Sequence, residues 1–195
     1  MTPLRFDVTS AGFSGDTATA RAGLSSADAP VRASALRALA RLGELADAEI
    51  TACLRDENGE VRRTAAELSA THPAVDVRAL LRDTDVFVAE MAAWAIGERP
   101  GATDEEIDTL IESTTAHSEV LVREACAAAL GSIGNPRGLD AILAACGDKP
   151  TVRRRAVLAL APFDDPRAES ALRDALGDRD WQVRQNAEDV LNPRF

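Results

Sequence analysis

A short signature recurs along this chain and limits what it can fold into. A Val-Arg pair appears at Val31-Arg32, Val61-Arg62, Val122-Arg123, Val152-Arg153 and Val183-Arg184, and Val88-Ala89 fills the one gap. The valines are 30, 27, 34, 30 and 31 residues apart. Four residues after each Val stands a small side chain: Ala35, Ala65, Ala92, Cys126, Ala156, Ala187. Eight residues after it come Leu39, Ser69, Ile96, Leu130, Leu160 and Leu191, and seven after it Ala38, Leu68, Ala95, Ala129, Ala159 and Val190. Positions spaced by 4, 7 and 8 share one side of a 3.6-residue helix, so every copy predicts an amphipathic helix with one buried stripe. Self-similarity at this period is the mark of a repeat array.

Each unit has room for a second helix upstream. Apolar residues at helical spacing place these over 16–24, 47–54, 74–81, 104–111, 137–145 and 167–176. Polar turns such as Asp56-Glu57-Asn58-Gly59, Asp83-Thr84-Asp85 and Asp178-Arg179-Asp180 join the two helices. Their side-chain oxygens suit the unpaired N–H groups that open a helix. Gly43, Pro73, Gly97, Gly134 and Pro162 fall where units close. No stretch alternates with the period of two that a half-buried strand needs. A unit of this kind cannot bury its stripe alone, so neighbours must stack. The position five after Val, turned toward such a neighbour, holds Leu36, Ala66, Ala93, Ala127 and Val157 and then switches to Glu188, as an exposed final face requires. At the other end Leu4–Ser10 with Phe6, then Phe13, reads as an extended cap over residues 1–15, leaving 16–195 as a single repeat domain.

An Asp-x-x-Val-Arg signature with Ala at +4 and Leu at +8, in two-helix units of about 30 residues, resembles the short bacterial HEAT-like repeats, the type found in phycobilin lyases and in many scaffold proteins. The resemblance covers residues 16–195, six units. It implies an all-α, right-handed α-solenoid of about six two-helix repeats. Such arrays host unrelated jobs, so the resemblance speaks to fold more than to function.

Composition narrows the function classes. The chain has 195 residues, 46% hydrophobic and 28% charged, with a net charge of −10. At this length roughly 70% of the unfolded surface can be removed from water, so no staple is needed. The acidic balance and 4% aromatic content argue against nucleic acid or anionic lipid as partner, since both require a basic footprint. Cys53, Cys126 and Cys146 are odd in number and far apart, which suits small buried hydrophobes in a reducing cytoplasm. No leader segment and no apolar run of membrane length is read in the sequence.

The repeated Arg after Val has two readings. Arg32, Arg62, Arg123, Arg153 and Arg184 could form an anion-binding row, or each could pair with a turn Asp of its own or the adjacent unit. Companion acids at Asp28, Asp85 and Asp180 favour pairing. The basic cluster Arg153-Arg154-Arg155 reads as a solvated face. His72 and His117 stand apart and neither precedes Glu. The di-iron site of deoxyhypusine hydroxylase, a HEAT-like enzyme built on His-Glu pairs, therefore finds no counterpart. No metal, cofactor or catalytic set is expected, because ligands at zinc spacing, phosphate loops and nucleophile elbows are all missing.

The face turned away from the stripe is more informative. Position +2 gives Ala33, Arg63, Glu90, Glu124, Arg154 and Gln185, and position +6 gives Arg37, Glu67, Trp94, Ala128, Leu158 and Asp189. Arg63, Glu90, Trp94, Glu124, Ala128, Arg154 and Leu158 are the candidate partner-binding residues: an apolar centre with charged surroundings on the concave wall of the stack. Trp94 is either an anchor for a partner or a packing residue leaning on Ala128. Trp181 is expected to cover the end of the last helix. The expectation is a non-catalytic cytoplasmic scaffold or adaptor, monomeric, that grips a protein or peptide. The alternative is a phycobilin-lyase-like or other HEAT-repeat enzyme subunit.

Overall fold

The computed structural model describes residues 3–193, and among them every regular element is helical. The chain divides into two compact units, residues 1–95 and 96–195.

The N-terminal unit opens with α1 (Arg5–Ser14), a helix where an extended cap was expected. Its start is fixed by Asp7, whose carboxylate accepts the Leu4 N–H at 3.0 Å. Val8, Ala11 and Gly12, three and four residues apart, form its buried side. The aromatic residues suggested a cap, but they point outward, with Phe6 79% and Phe13 73% exposed. Phe13 instead carries the Arg41 guanidinium 4.1 Å above its ring. Inward contact is made by the smallest residue: a Cβ on Gly12 would lie 2.9 Å from the Ala38 Cα.

There follow α2 (Thr17–Gly23), α3 (Ala29–Leu42), α4 (Asp47–Cys53) and α5 (Gly59–Leu68). The helix expected over 74–81 is a 3-10 turn, Arg78–Arg82. This copy is the shortest of the set, with 27 residues between valines, and the missing turn comes out of its first helix. Leu81 of this turn, with Val75 and Val77 just before it, still reaches the core. The next helix, α6 (Val86–Glu98), carries the chain to the end of this unit and three residues into the next.

The C-terminal unit contains α7 (Asp104–Ala116), α8 (Val120–Ile133), α9 (Leu139–Ala145), α10 (Pro150–Ala159), α11 (Pro166–Ala175) and α12 (Trp181–Leu191). α7 begins with a reciprocal cap: the Glu106 N–H donates to Thr103 Oγ1 at 3.2 Å, and Glu106 Oε2 accepts the Thr103 N–H at 2.9 Å. The other Glu106 oxygen meets buried Arg99 at 2.5 Å. α8 stops at Gly134, whose φ of +64° lies in the left-handed region that favours glycine.

The repeat columns form the core. All six Val positions, all six +4 positions, and the +5 positions from Leu36 to Val157 are buried, whereas Glu188 is exposed. Within the C-terminal unit the second helices approach closely, because the column nine after Val holds glycine. A Cβ on Gly131 would sit 2.6 Å from the Cα of Ala159, and one on Gly97 would sit 2.8 Å from that of Ala129. Gly97 was expected to close a unit; it lies inside α6 and serves helix contact instead.

Candidate interaction face

Four arginines of the column, Arg32, Arg62, Arg123 and Arg153, are structural and paired. Arg32 grips Asp56 through Nε at 2.7 Å and Nη2 at 2.6 Å, and Arg62 grips Asp83 at 2.7 and 2.8 Å. Arg123 holds Asp148 at 2.6 and 3.0 Å, and Arg153 holds Asp178 at 2.8 and 2.8 Å. In each case Nη1 donates to carbonyls of the arginine's own turn: Ser26 for Arg32, Asp56 for Arg62, His117 for Arg123, Asp148 for Arg153. One guanidinium thus ties its own turn to the next unit's turn. The Asp is held in turn by backbone N–H groups: Asp56 accepts from Asn58, Asp83 from Asp85 and Asp178 from Asp180.

The partner acids differ from those expected. Asp85 and Asp180 cap helices, accepting from the Phe87 and Gln182 N–H groups, and the ladder uses the acids four or five residues before Val. Hydrogen bonds from Arg32, Arg123 and Arg153 hold Asp56, Asp148 and Asp178 below the usual carboxylate range. For Asp83, burial pushes the other way, yet the bonds from Arg62 and the Asp85 N–H leave it lowered as well. The paired arginines are correspondingly raised, with the Asp hydrogen bond as the leading cause and burial opposing it.

Elsewhere chemistry is sparse. Cys53 and Cys126 are buried and Cys146 is half-buried. Burial pushes Cys126 up to about 12 and Cys146 to about 11, so neither is a nucleophile at neutral pH. Among the described residues no three His, Cys, Asp or Glu side chains gather in a way that could hold a metal ion. No helix of the described residues is long and apolar enough to cross a membrane.

The second-helix face of the C-terminal unit carries two adjoining hollows. Ala128, Gly131 and Ser132 of α8, with Arg155, Leu158 and Ala159 of α10 and then Ala161 and Pro162, line a hollow of about 500 Å³. A smaller one of about 240 Å³, lined by Glu124, Thr151, Arg154, Arg155, Leu158, Gln182 and Asn186, adjoins it across Arg155 and Leu158. The hollow follows from residue size, since Ala128 and Gly131 leave space that a larger residue would fill. Leu158 stands between the two, 40% exposed. Around it the charges are internally matched: Arg154 pairs with Asp180 at 2.5 Å and Arg155 with Glu124 at 3.7 Å. The Arg154 hydrogen bond draws Asp180 down to about 2.

Four of the seven candidate residues, Glu124, Ala128, Arg154 and Leu158, are therefore brought together here. Arg63 lies exposed on α5 of the N-terminal unit, and Glu90 lies on α6 one turn before Trp94, which is 44% exposed. Ala33, from the same column, is buried. Sequence reasoning missed Arg155, Gly131 and Pro162; the helical period places Leu158 on the face but does not show where small neighbours open a hollow beside it. Trp181 does not cover a helix end: it is the first residue of α12 and is 65% exposed.

Known proteins share this architecture. A family model described as HEAT repeats matches residues 74–151 and 147–192. An engineered protein of known crystal structure is similar with a TM-score of 0.61 and 19% identity, over 90% of this chain and 97% of that one. A designed armadillo repeat protein gives 0.59 and 20%, over 90% and 98%. Human deoxyhypusine hydroxylase in complex with glycerol gives 0.50 and 21%, over 96% and 76%. At these identities the likeness is one of fold. No curated protein matches the sequence.

Proposed function

The chain belongs to the HEAT repeat family, and from that premise we propose that it is a non-catalytic cytoplasmic adaptor whose second-helix face receives a segment of another protein. The observation that carries the reading is the exposed Leu158 between two adjoining hollows, in a face whose charges are already paired. An exposed apolar side chain beside a hollow gives a partner side chain something to displace water from. The larger hollow falls within the size range of ordinary ligand sites. A partner inserting one apolar side chain beside Leu158, with polar atoms reaching Arg155 and Asn186, fits this chemistry. Trp94 occupies the same column in the N-terminal unit and is exposed as well.

The test is Leu158→Asp, alone and with Trp94→Asp, followed by affinity capture from native lysate. Both positions are exposed, so the fold should tolerate the change. Loss of specific captured proteins supports the reading, and an unchanged set defeats it.

A further inference from the structure

The two hollows meet at Arg155 and Leu158, which line both. A segment that covers Leu158 therefore also covers Arg155, and the polar groups around that arginine decide what the segment can carry. Three arginines stand in a row here, and two of them are spent. Arg153 grips Asp178 through Nε and Nη2, and Arg154 holds Asp180 through the same two atoms. Arg155 differs. Its Nη2 lies 3.7 Å from Glu124 Oε1, close enough to balance charge and too far for a hydrogen bond. Arg155 is exposed and Glu124 half-buried, and among the described residues no hydrogen bond reaches either side chain. An unspent donor thus stands beside an unspent acceptor, and Glu124, Arg154, Arg155 and Asp180 together carry no net charge.

On the premise that this face receives a partner segment, we propose that the segment is uncharged at this point. An Asn or Gln side chain of the partner seats between Arg155 and Glu124, and a neighbouring apolar side chain fills the larger hollow.

Charge and hydrogen-bond chemistry select this occupant. A carboxylate would accept from Arg155 but set a second negative charge against Glu124, and an ammonium or guanidinium would donate to Glu124 but face Arg155. A carboxamide carries an acceptor oxygen and a donor nitrogen side by side, so one neutral group serves both residues. A backbone peptide unit has the same two atoms but points them in opposite directions, so it serves one residue and not the other. Asn186, on the same rim, spends its Nδ2 on the Arg154 carbonyl at 2.9 Å and keeps its oxygen as a further acceptor for N–H groups. The larger hollow is walled mainly by Ala128, Gly131, Ala159, Ala161 and Pro162, so burial there rewards an apolar side chain.

The test selects random peptides displayed on phage against the full chain and discards those that also bind a Leu158→Asp chain. The retained peptides should share a large apolar residue and a nearby Asn or Gln. In synthetic copies, replacing that amide by the matching acid or by Lys should weaken binding about tenfold or more. The acid copy should recover on a Glu124→Gln chain, where the repelling charge is gone and Arg155 remains. Retained peptides that carry an acid or a base in place of the amide, an amide-to-acid change without effect, or an acid copy that stays weak on Glu124→Gln overturns this proposal and leaves the adaptor reading standing. If no peptide depends on Leu158, the adaptor reading falls and this proposal falls with it.

Discussion

Removing the fork from Arg153 should cost more than removing any exposed ion pair of the chain. Arg153 makes three charge-assisted bonds, two to Asp178 and one to the Asp148 carbonyl, all at 2.8 Å. Its side chain is only 7% exposed and that of Asp178 16%. Breaking a fully buried pair costs about 3–5 kcal/mol, and an exposed one about 0–1. This site lies between those limits, nearer the first. Arg153→Met, which keeps the apolar stem, should therefore lower unfolding free energy by about 2–3 kcal/mol. Asp178→Asn keeps the oxygen that accepts the Asp180 N–H and loses only charge, so about 1–2 kcal/mol is expected. In the double variant the two losses should fall short of additivity by about 1–2 kcal/mol. Urea unfolding followed by circular dichroism measures all three, with Arg184→Met as the control expected within about 0.5 kcal/mol of wild type. A coupling below about 0.5 kcal/mol would refute the ladder as a source of stability.

The ladder also predicts an acid limit. Asp56, Asp83, Asp148 and Asp178 have folded-state values below their unfolded ones. The stability they contribute is therefore fully present above about pH 3.9 and is lost as pH falls through the lowered values. Chemical denaturation should show a plateau from neutral pH to about pH 5 and a steep fall below about pH 4, shallower in Asp178→Asn. Gly131→Ala forces a Cβ to 2.6 Å from the Ala159 Cα. Overpacking should outweigh the helix-propensity gain of about 1 kcal/mol and destabilise by about 1–2 kcal/mol net, read as a lower melting temperature. Cys126, with its thiol near 12 and buried, should resist iodoacetamide at neutral pH until urea opens the fold.

Most of the architecture is written in periodicity. Apolar spacing gives the stacked helical pairs because burial of a stripe is a local, repeated demand that each copy states again. It fails at the edges, where copies depart from the rule. Residues 5–14 look irregular since the inward residues of α1 are Val8, Ala11 and Gly12 while its aromatics face water, the reverse of the usual weighting. The short third copy loses its first helix to a 3-10 turn because three missing residues must be absorbed somewhere. The pairing of Arg with a neighbouring turn was legible, but the choice of acid was not. Asp178 and Asp180 are two residues apart, and only the fold decides which faces Arg153 and which faces Arg154. The interaction face was half legible: Leu158 follows from the helical period, and the hollow beside it depends on how closely α8 and α10 approach at Gly131.

A photo-reactive amino acid placed at position 158, compared with one at position 173 on α11, addresses the proposed role most directly. After irradiation in native lysate, position 158 should yield a defined covalent adduct with one partner segment, while position 173 yields none. Equal labelling at the two positions, or adducts only at 173, would contradict the assignment of this face.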